Sequence, residues 1–146
     1  GFSGMLVSSR YSGTRPTSAN QICATTGRPY TIYGYKGKQV RDNIHSRDLI
    51  DAFLHFCRDP RQGRVYNMGG SRHSHCSMLE AIGLCERICD RRMSTTLSQE
   101  NRVGDHIWYV SDVARFQADY PGWRYHYTVE DILTEIHAAV IERLGK

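Results

Sequence analysis

The stretch Val40-Arg41-Asp42-Asn43-Ile44-His45-Ser46-Arg47-Asp48-Leu49-Ile50-Asp51-Ala52-Phe53-Leu54-His55-Phe56-Cys57 sets the fold class, because its pattern changes midway. Residues 40–44 read as extended chain. Ser46 can cap a helix whose apolar positions Leu49, Ile50, Phe53, Leu54 and Cys57 recur at three- and four-residue spacing, until Asp59 and Pro60 stop it. Extended chain running directly into an amphipathic helix points to an α/β protein.

Residues 30–35 form a β-favouring run closed by Gly34, a short strand leading into a Lys/Gly turn at 36–38. Residues 64–68 predict another strand, ended by Gly69 and Gly70. The capping box Ser77-x-x-Glu80 opens a second helix that buries Leu79, Ile82, Cys85 and Cys89. Residues 95–97 predict a short strand. Ser111 caps a brief helix through Asp119, closed by Tyr120-Pro121-Gly122. Thr128-x-x-Asp131 opens the last helix, with Val129, Ile132, Leu133, Ile136, Val140 and Leu144 on one side. Residues 1–21, rich in Gly, Ser, Thr and Pro without sustained period, are expected to be a flexible leader without a fold. The expectation is an α/β fold of short strands with three to four helices, without repeats or coiled coil.

At 146 residues and 40% hydrophobic content the chain suits one compact domain with a modest core. It has no run of eighteen apolar residues and no apolar stretch of signal-peptide type near residue 1, so a cytoplasmic protein is expected. Five cysteines are an odd number, which argues for reduced thiols over a disulfide framework. The net charge of +4 is scattered, which suits a phosphate-bearing partner and falls short of a nucleic-acid footprint.

Four segments stand out in order: Thr-Gly-Arg-Pro-Tyr-Thr-Ile-Tyr-Gly at 26–34, Val-Arg-Asp-Asn-Ile-His-Ser-Arg-Asp-Leu at 40–49, Val-Tyr-Asn-Met-Gly-Gly at 65–70 and Asn-Arg-Val-Gly-Asp at 101–105. Together they resemble the C-terminal part of the NAD-dependent epimerase/dehydratase family, extended short-chain dehydrogenase/reductases acting on sugar nucleotides. The strings at 33–46 and 104–108 resemble its CDP-paratose (CDP-tyvelose) 2-epimerase branch. The resemblance covers roughly residues 22–140.

It implies a leader at 1–21 foreign to the family, and a nucleotide-sugar-binding C-terminal portion at 22–146 without a complete Rossmann sheet. Arg41 and Arg102 would hold the diphosphate of a CDP-sugar or other pyrimidine nucleotide-sugar. Guanidinium groups suit that role, being planar, permanently charged and able to donate paired hydrogen bonds to phosphate oxygens. Residues Thr31, Tyr33 and Gly34 would edge the pyrimidine, and Asp105 would orient Arg102. The implied reaction takes hydride from C2 of a CDP-dideoxyhexose to NAD and returns it to the opposite face. The chain itself carries neither G-x-G-x-x-G nor Tyr-x-x-x-Lys, so it has no NAD-binding motif and no catalytic residue of its own is expected.

Other residue patterns in the chain admit further chemistry. Asp42, His45 and Asp48 invite acid–base chemistry. Helix-dipole and capping roles for Asp48 and His45 are the stronger reading. His73-x-His75-Cys76 with Cys85 and Cys89 suggests zinc, against which stands the buried side of the predicted helix carrying both later thiols. Trp108, Tyr109, Trp123, Tyr125 and Tyr127 suggest either a stacking platform for single-stranded nucleic acid or ordinary packing. The alternative function is a nucleic-acid or protein binding module, and loss of a covering domain would also favour self-association into a homo-oligomer.

Overall fold

The computed structural model describes residues 16–98 and 106–145. Their order is α1 (Pro16–Thr26), β1 (Tyr30–Tyr33), β2 (Val40–Asp42), α2 (Ser46–Arg58), β3 (His75–Ser77), α3 (Met78–Cys89), β4 (Thr95–Ser98), β5 (Trp108–Tyr109), α4 (Ala114–Asp119) and α5 (Val129–Leu144). The fold is α/β with small sheets: β1 pairs with β4, and a second sheet has the order β3-β2-β5. Five α-helices among the described residues exceed the three or four expected. None is long and apolar enough to cross a membrane. The chain divides into two compact units, one holding 42–75 and 110–129, the other the remaining described residues.

The first unit is built on aromatic rings. Ala52, Tyr66, Phe116, Tyr120 and Trp123 form its core, edged by Ile44, Phe56, Met68 and Tyr125. Phe116 meets both Tyr66 and Trp123 edge-on at 5.3 Å, the arrangement ring quadrupoles prefer. The cap of α2 is His45, whose Nδ1 accepts from Arg47 N at 3.1 Å; Ser46, expected as the cap, is already helical. The buried face of α2 is also not the one the apolar spacing indicates. Asp48 and Ala52 are buried, whereas Ile50 and Leu54 are 55% and 46% exposed. Spacing reveals a stripe but not which neighbour covers it.

No strand forms at 64–68. Tyr66 anchors that segment by its side chain instead, donating its hydroxyl to Asp119 Oδ2 at 2.6 Å, while Val65 stays exposed. Beyond it, Gly70 passes so close to other backbone that an added Cβ would lie 2.2 Å from Asn43 O. Helix α4 starts at Ala114, later than Ser111, because Asp112 Oδ1 accepts from Ala114 N. Its end at Tyr120-Pro121-Gly122 agrees with expectation.

In the second unit, Tyr30, Ile32, Met78 and Ile82 form the core, with Ala19, Cys23 and Met93 against it. Helix α1 begins at Pro16, inside the stretch expected to lack a fold. Its period was invisible because its buried face carries Asn20 and Gln21, both 0% exposed; Asn20 Nδ2 donates to Met78 Sδ at 2.9 Å. The capping box of α3 is as expected: Ser77 N donates to Glu80 Oε2 at 2.7 Å and Glu80 N to Ser77 Oγ at 3.2 Å. Ile82 and Cys85 are buried, Cys89 is half-buried, and Leu79 lies 47% exposed, contrary to expectation. In α5, Leu133 is fully buried and Leu144 exposed. Strands β3 and β5, three and two residues long, are too short to leave a period.

Candidate functional site

Strand β1 alternates: Tyr30 and Ile32 enter the core, leaving half-buried Thr31 and exposed Tyr33 on the other face. Its parallel partner β4 sets Thr31 opposite Thr96 and Tyr33 opposite Ser98. Gly34 N donates to Ser98 O at 3.2 Å, and Gln39 Nε2 donates to Tyr33 O at 3.1 Å. Much of the backbone expected to read a base is thus engaged, and the Tyr33 ring remains accessible. The chain then makes a tight turn in which Gly34, Tyr35, Lys36 and Gly37 all have positive φ, 63°, 48°, 53° and 72°. Two non-glycine residues in the left-handed region are a local cost of about 1–3 kcal/mol each.

Gln39 leads into β2, where Val40 and Arg41 stand opposite Trp108 and Tyr109 of β5. Arg41 is half-buried. Its guanidinium donates to Val40 O at 2.7 Å and makes a short bond to His106 O. Ile107, Trp108 and Tyr109 are 58%, 65% and 50% exposed, so the arginine sits beside an accessible apolar edge. The second unit therefore contains Thr31, Tyr33, Gly34 and Arg41 together. Arg102 and Asp105 lie outside the described residues. Gln39, which joins the end of β1 to the start of β2, was missed; a glutamine between Lys38 and Val40 carries no sequence signal.

The acid–base candidates fall elsewhere. Asp42 Oδ2 accepts from Ser71 N and Ser111 N, both at 2.9 Å. Asp48, 1% exposed, accepts from His126 N and Tyr127 N at 3.2 Å, and faces His126 Nδ1 at 3.2 Å. Its carbonyl accepts from Trp123 Nε1 at 3.0 Å. His45 stacks on Tyr127 with ring centroids 4.0 Å apart. Each of the three is engaged in holding the first unit; Asp48 lies in the first turn of α2, as expected of a carboxylate facing the helix dipole, and also cross-links that turn to residues 126–127.

Among the zinc candidates, His73 stacks on Tyr125 at 4.8 Å and His75 Nδ1 meets Arg72 O at 3.0 Å. Burial raises the Cys76 thiol to about 11, with a contribution from Glu80, and raises Cys85 to about 12. The aromatic candidates divide: Trp123 is fully buried, Tyr125 donates its hydroxyl to Gly69 O at 2.6 Å, and only Trp108 and Tyr109 are well exposed.

The starts of α2 and α3 do not suit a dinucleotide pyrophosphate. The N-terminus of α2 carries buried Asp48 in its first turn, and that of α3 is closed by Glu80. Carboxylates at these positive helix ends occupy the place of a pyrophosphate and repel it.

These elements, short parallel strand pairs with flanking helices, are those of part of an extended short-chain dehydrogenase/reductase. The chain belongs to the NAD dependent epimerase/dehydratase family, whose model matches residues 8–69. It is 32% identical over 115 residues to dTDP-glucose 4,6-dehydratase of Haemophilus influenzae, covering 79% of this chain and 30% of the relative. It is also 32% identical over 90 residues to CDP-paratose 2-epimerase of Salmonella typhi, covering 60% of this chain and 26% of that protein. In shape it is similar to UDP-glucuronic acid 4-epimerase from Bacillus cereus, solved with UDP-glucuronic acid and NAD. That match has a TM-score of 0.77 at 18% identity, covering 88% of this chain and 40% of the other. The chain thus spans under a third of the length of these curated relatives.

Proposed function

We propose that residues 22–146 are the nucleotide-sugar-binding portion of an NAD-dependent epimerase, acting in the cytoplasm on a CDP-sugar or other pyrimidine nucleotide-sugar. The reaction is the interconversion of CDP-paratose and CDP-tyvelose, with hydride leaving C2 for NAD and returning to the opposite face. The observation that carries this reading is the grouping of Thr31, Tyr33, Gly34 and Arg41 in one compact unit, with the Tyr33 ring accessible and a permanent cation on β2, the next strand in sequence.

In this reading the Tyr33 ring stacks on the base, and Arg41 together with Arg102, oriented by Asp105, neutralises the diphosphate. Arg41 exchanges a backbone carbonyl for a phosphate oxygen, a stronger charge-assisted acceptor. Binding energy from the nucleotide then positions the sugar. This chain supplies orientation, while the NAD-binding turn and the proton-transferring pair belong to residues outside it. No step of hydride transfer is assigned to the side chains described here.

Calorimetric titration with CDP tests the proposal. The expected result is weak binding that falls about tenfold in Arg41→Ala, near the 1.4 kcal/mol of one modest phosphate contact. It should vanish in Arg41→Ala plus Arg102→Ala. Absence of heat with the folded native chain, or equal binding by the double variant, removes the proposal.

A further inference from the structure

In the first unit, α2 turns an apolar stripe away from the core it packs on. Asp48 and Ala52 face inward, whereas Ile50, Leu54 and Cys57, spaced by four and then three residues, form one exposed line. Leu49 and Phe53 are half-buried along its edge. A helix of this amphipathic pattern ordinarily sets its apolar side against a neighbour, and each Å² left in water forgoes about 25 cal/mol.

The charges beside the stripe favour one occupant. Arg58 follows Leu54 by four residues and Asp51 precedes it by three, so both stand on the same side of the stripe, two turns apart. The Asp51 carboxylate is 39% exposed and lies 3.7 Å from His55 Nε2. Arg58 is exposed and has no ion-pair partner among the described residues, whereas Arg47, Arg61 and Arg64 reach Tyr127, Asp59 and Asp119. A two-fold axis perpendicular to a pair of helices runs the second antiparallel and brings each side of one stripe against the same side of the other. With that axis beside Leu54, Asp51 of each copy stands opposite Arg58 of the other, and the two Leu54 side chains meet at the centre. The stripe is therefore complementary to itself in both shape of pattern and charge. A parallel pair would instead set Asp51 and Arg58 against the apolar edge at Leu49 and Phe53.

We infer that the outward stripe of α2 is a self-association face, and that its occupant is the same stripe of a second copy of this chain, held antiparallel with reciprocal Asp51–Arg58 ion pairs. An isologous contact of this kind uses up its own surface, so assembly closes at the dimer. The apolar line supplies the attraction, and the flanking charges set orientation and register.

Analytical ultracentrifugation of the native 146-residue chain over a wide range of concentration, under reducing conditions, tests this. A reversible monomer–dimer equilibrium is expected. Leu54→Glu should leave monomer only, with an unchanged urea midpoint because Leu54 is already exposed. Asp51→Arg and Arg58→Asp, which each set like charges opposite one another twice in the pair, should raise the dimer dissociation constant about tenfold. The double variant Asp51→Arg plus Arg58→Asp restores opposite charges and should return the native value. The contact of Asp51 with His55 is not restored by that exchange, so recovery reads the interface and not the helix itself. Trp108→Ser, on the exposed edge of the second unit, should associate as the native chain does. The inference is overturned if the native chain is monomeric at every concentration or forms species larger than a dimer. It is equally overturned if Leu54→Glu still dimerises, if the double charge variant is no tighter than either single one, or if Trp108→Ser alone abolishes association.

Discussion

The two units use their charged side chains in opposite ways. In the first, Asp42 and Asp48 are acceptors for backbone groups from distant segments, so their lone pairs are occupied inside the fold. In the second, Arg41 donates to backbone carbonyls beside Trp108 and Tyr109, and under the proposed function a phosphate takes the place of such a carbonyl. All these side chains look equally chemical in sequence. What separates structure from chemistry is whether a group's hydrogen-bonding capacity is already used by groups that have no alternative partner.

The largest effect that tests this contrast is Asp48→Ala. It leaves His126 N and Tyr127 N without their acceptor beside a buried ring core, and should lower stability by about 3–5 kcal/mol, as removal of a buried hydrogen-bonded charge does. Urea denaturation followed through Trp123 fluorescence reads it. Asp48→Asn keeps one acceptor oxygen and should lose about half as much. Where the Asn variant remains folded, its affinity for CDP should equal that of the native chain. The contrast breaks if Asp48→Asn weakens CDP binding at unchanged stability, since the carboxylate would then belong to the site. Arg41→Ala should give the reverse pattern, lowering affinity about tenfold with a much smaller change in the urea midpoint.

Alkaline titration separates the units differently. Burial raises Cys76 to about 11 and Cys85 to about 12, from about 9 in the unfolded chain. Above about pH 9 the unfolded chain has released thiol protons that the folded chain still holds, so stability falls as pH rises. This first loss belongs to the second unit. Tyr66 and Tyr125 of the first unit, both raised chiefly by burial, add a further loss once the unfolded phenols ionise near pH 10. In Cys85→Ala the urea midpoint should decline less steeply between about pH 9 and 10, and the later loss should persist. An unchanged slope in Cys85→Ala would show that this thiol does not hold its proton in the folded state.

Legibility in the sequence followed the range of the interaction. The run 30–33, the β2–α2 junction, the capping box and the stop at Tyr120-Pro121-Gly122 depend on neighbours a few residues away, and all were readable. Helix α1 was not, because its buried face is Asn20 and Gln21, whose partners sit on α3. The outward turn of Ile50 and Leu54 and the missing strand at 64–68 have the same origin: residues far away in sequence decide which face is covered. Of the candidate site, the residue types at 31, 33, 34 and 41 were legible from a family resemblance, whereas Gln39 and the apolar edge of β5 became visible only once strands paired.

The smallest expected effect falls where local reading worked best. Ser77 and Glu80 satisfy each other's backbone N–H groups at the start of α3, and both side chains are within solvent reach. Ser77→Ala removes one acceptor from an N–H that water can still reach, so it should lower stability by about 1 kcal/mol. Glu80→Gln, which keeps an acceptor oxygen, should cost less. Neither change should alter CDP affinity, because α3 holds β1 through Met78 and Ile82, which both variants retain. A loss of several kcal/mol from Ser77→Ala would mean that α3 depends on its cap far more than on its buried face. The second unit would then owe its order to local signals, in still greater contrast with the first unit's long-range carboxylates.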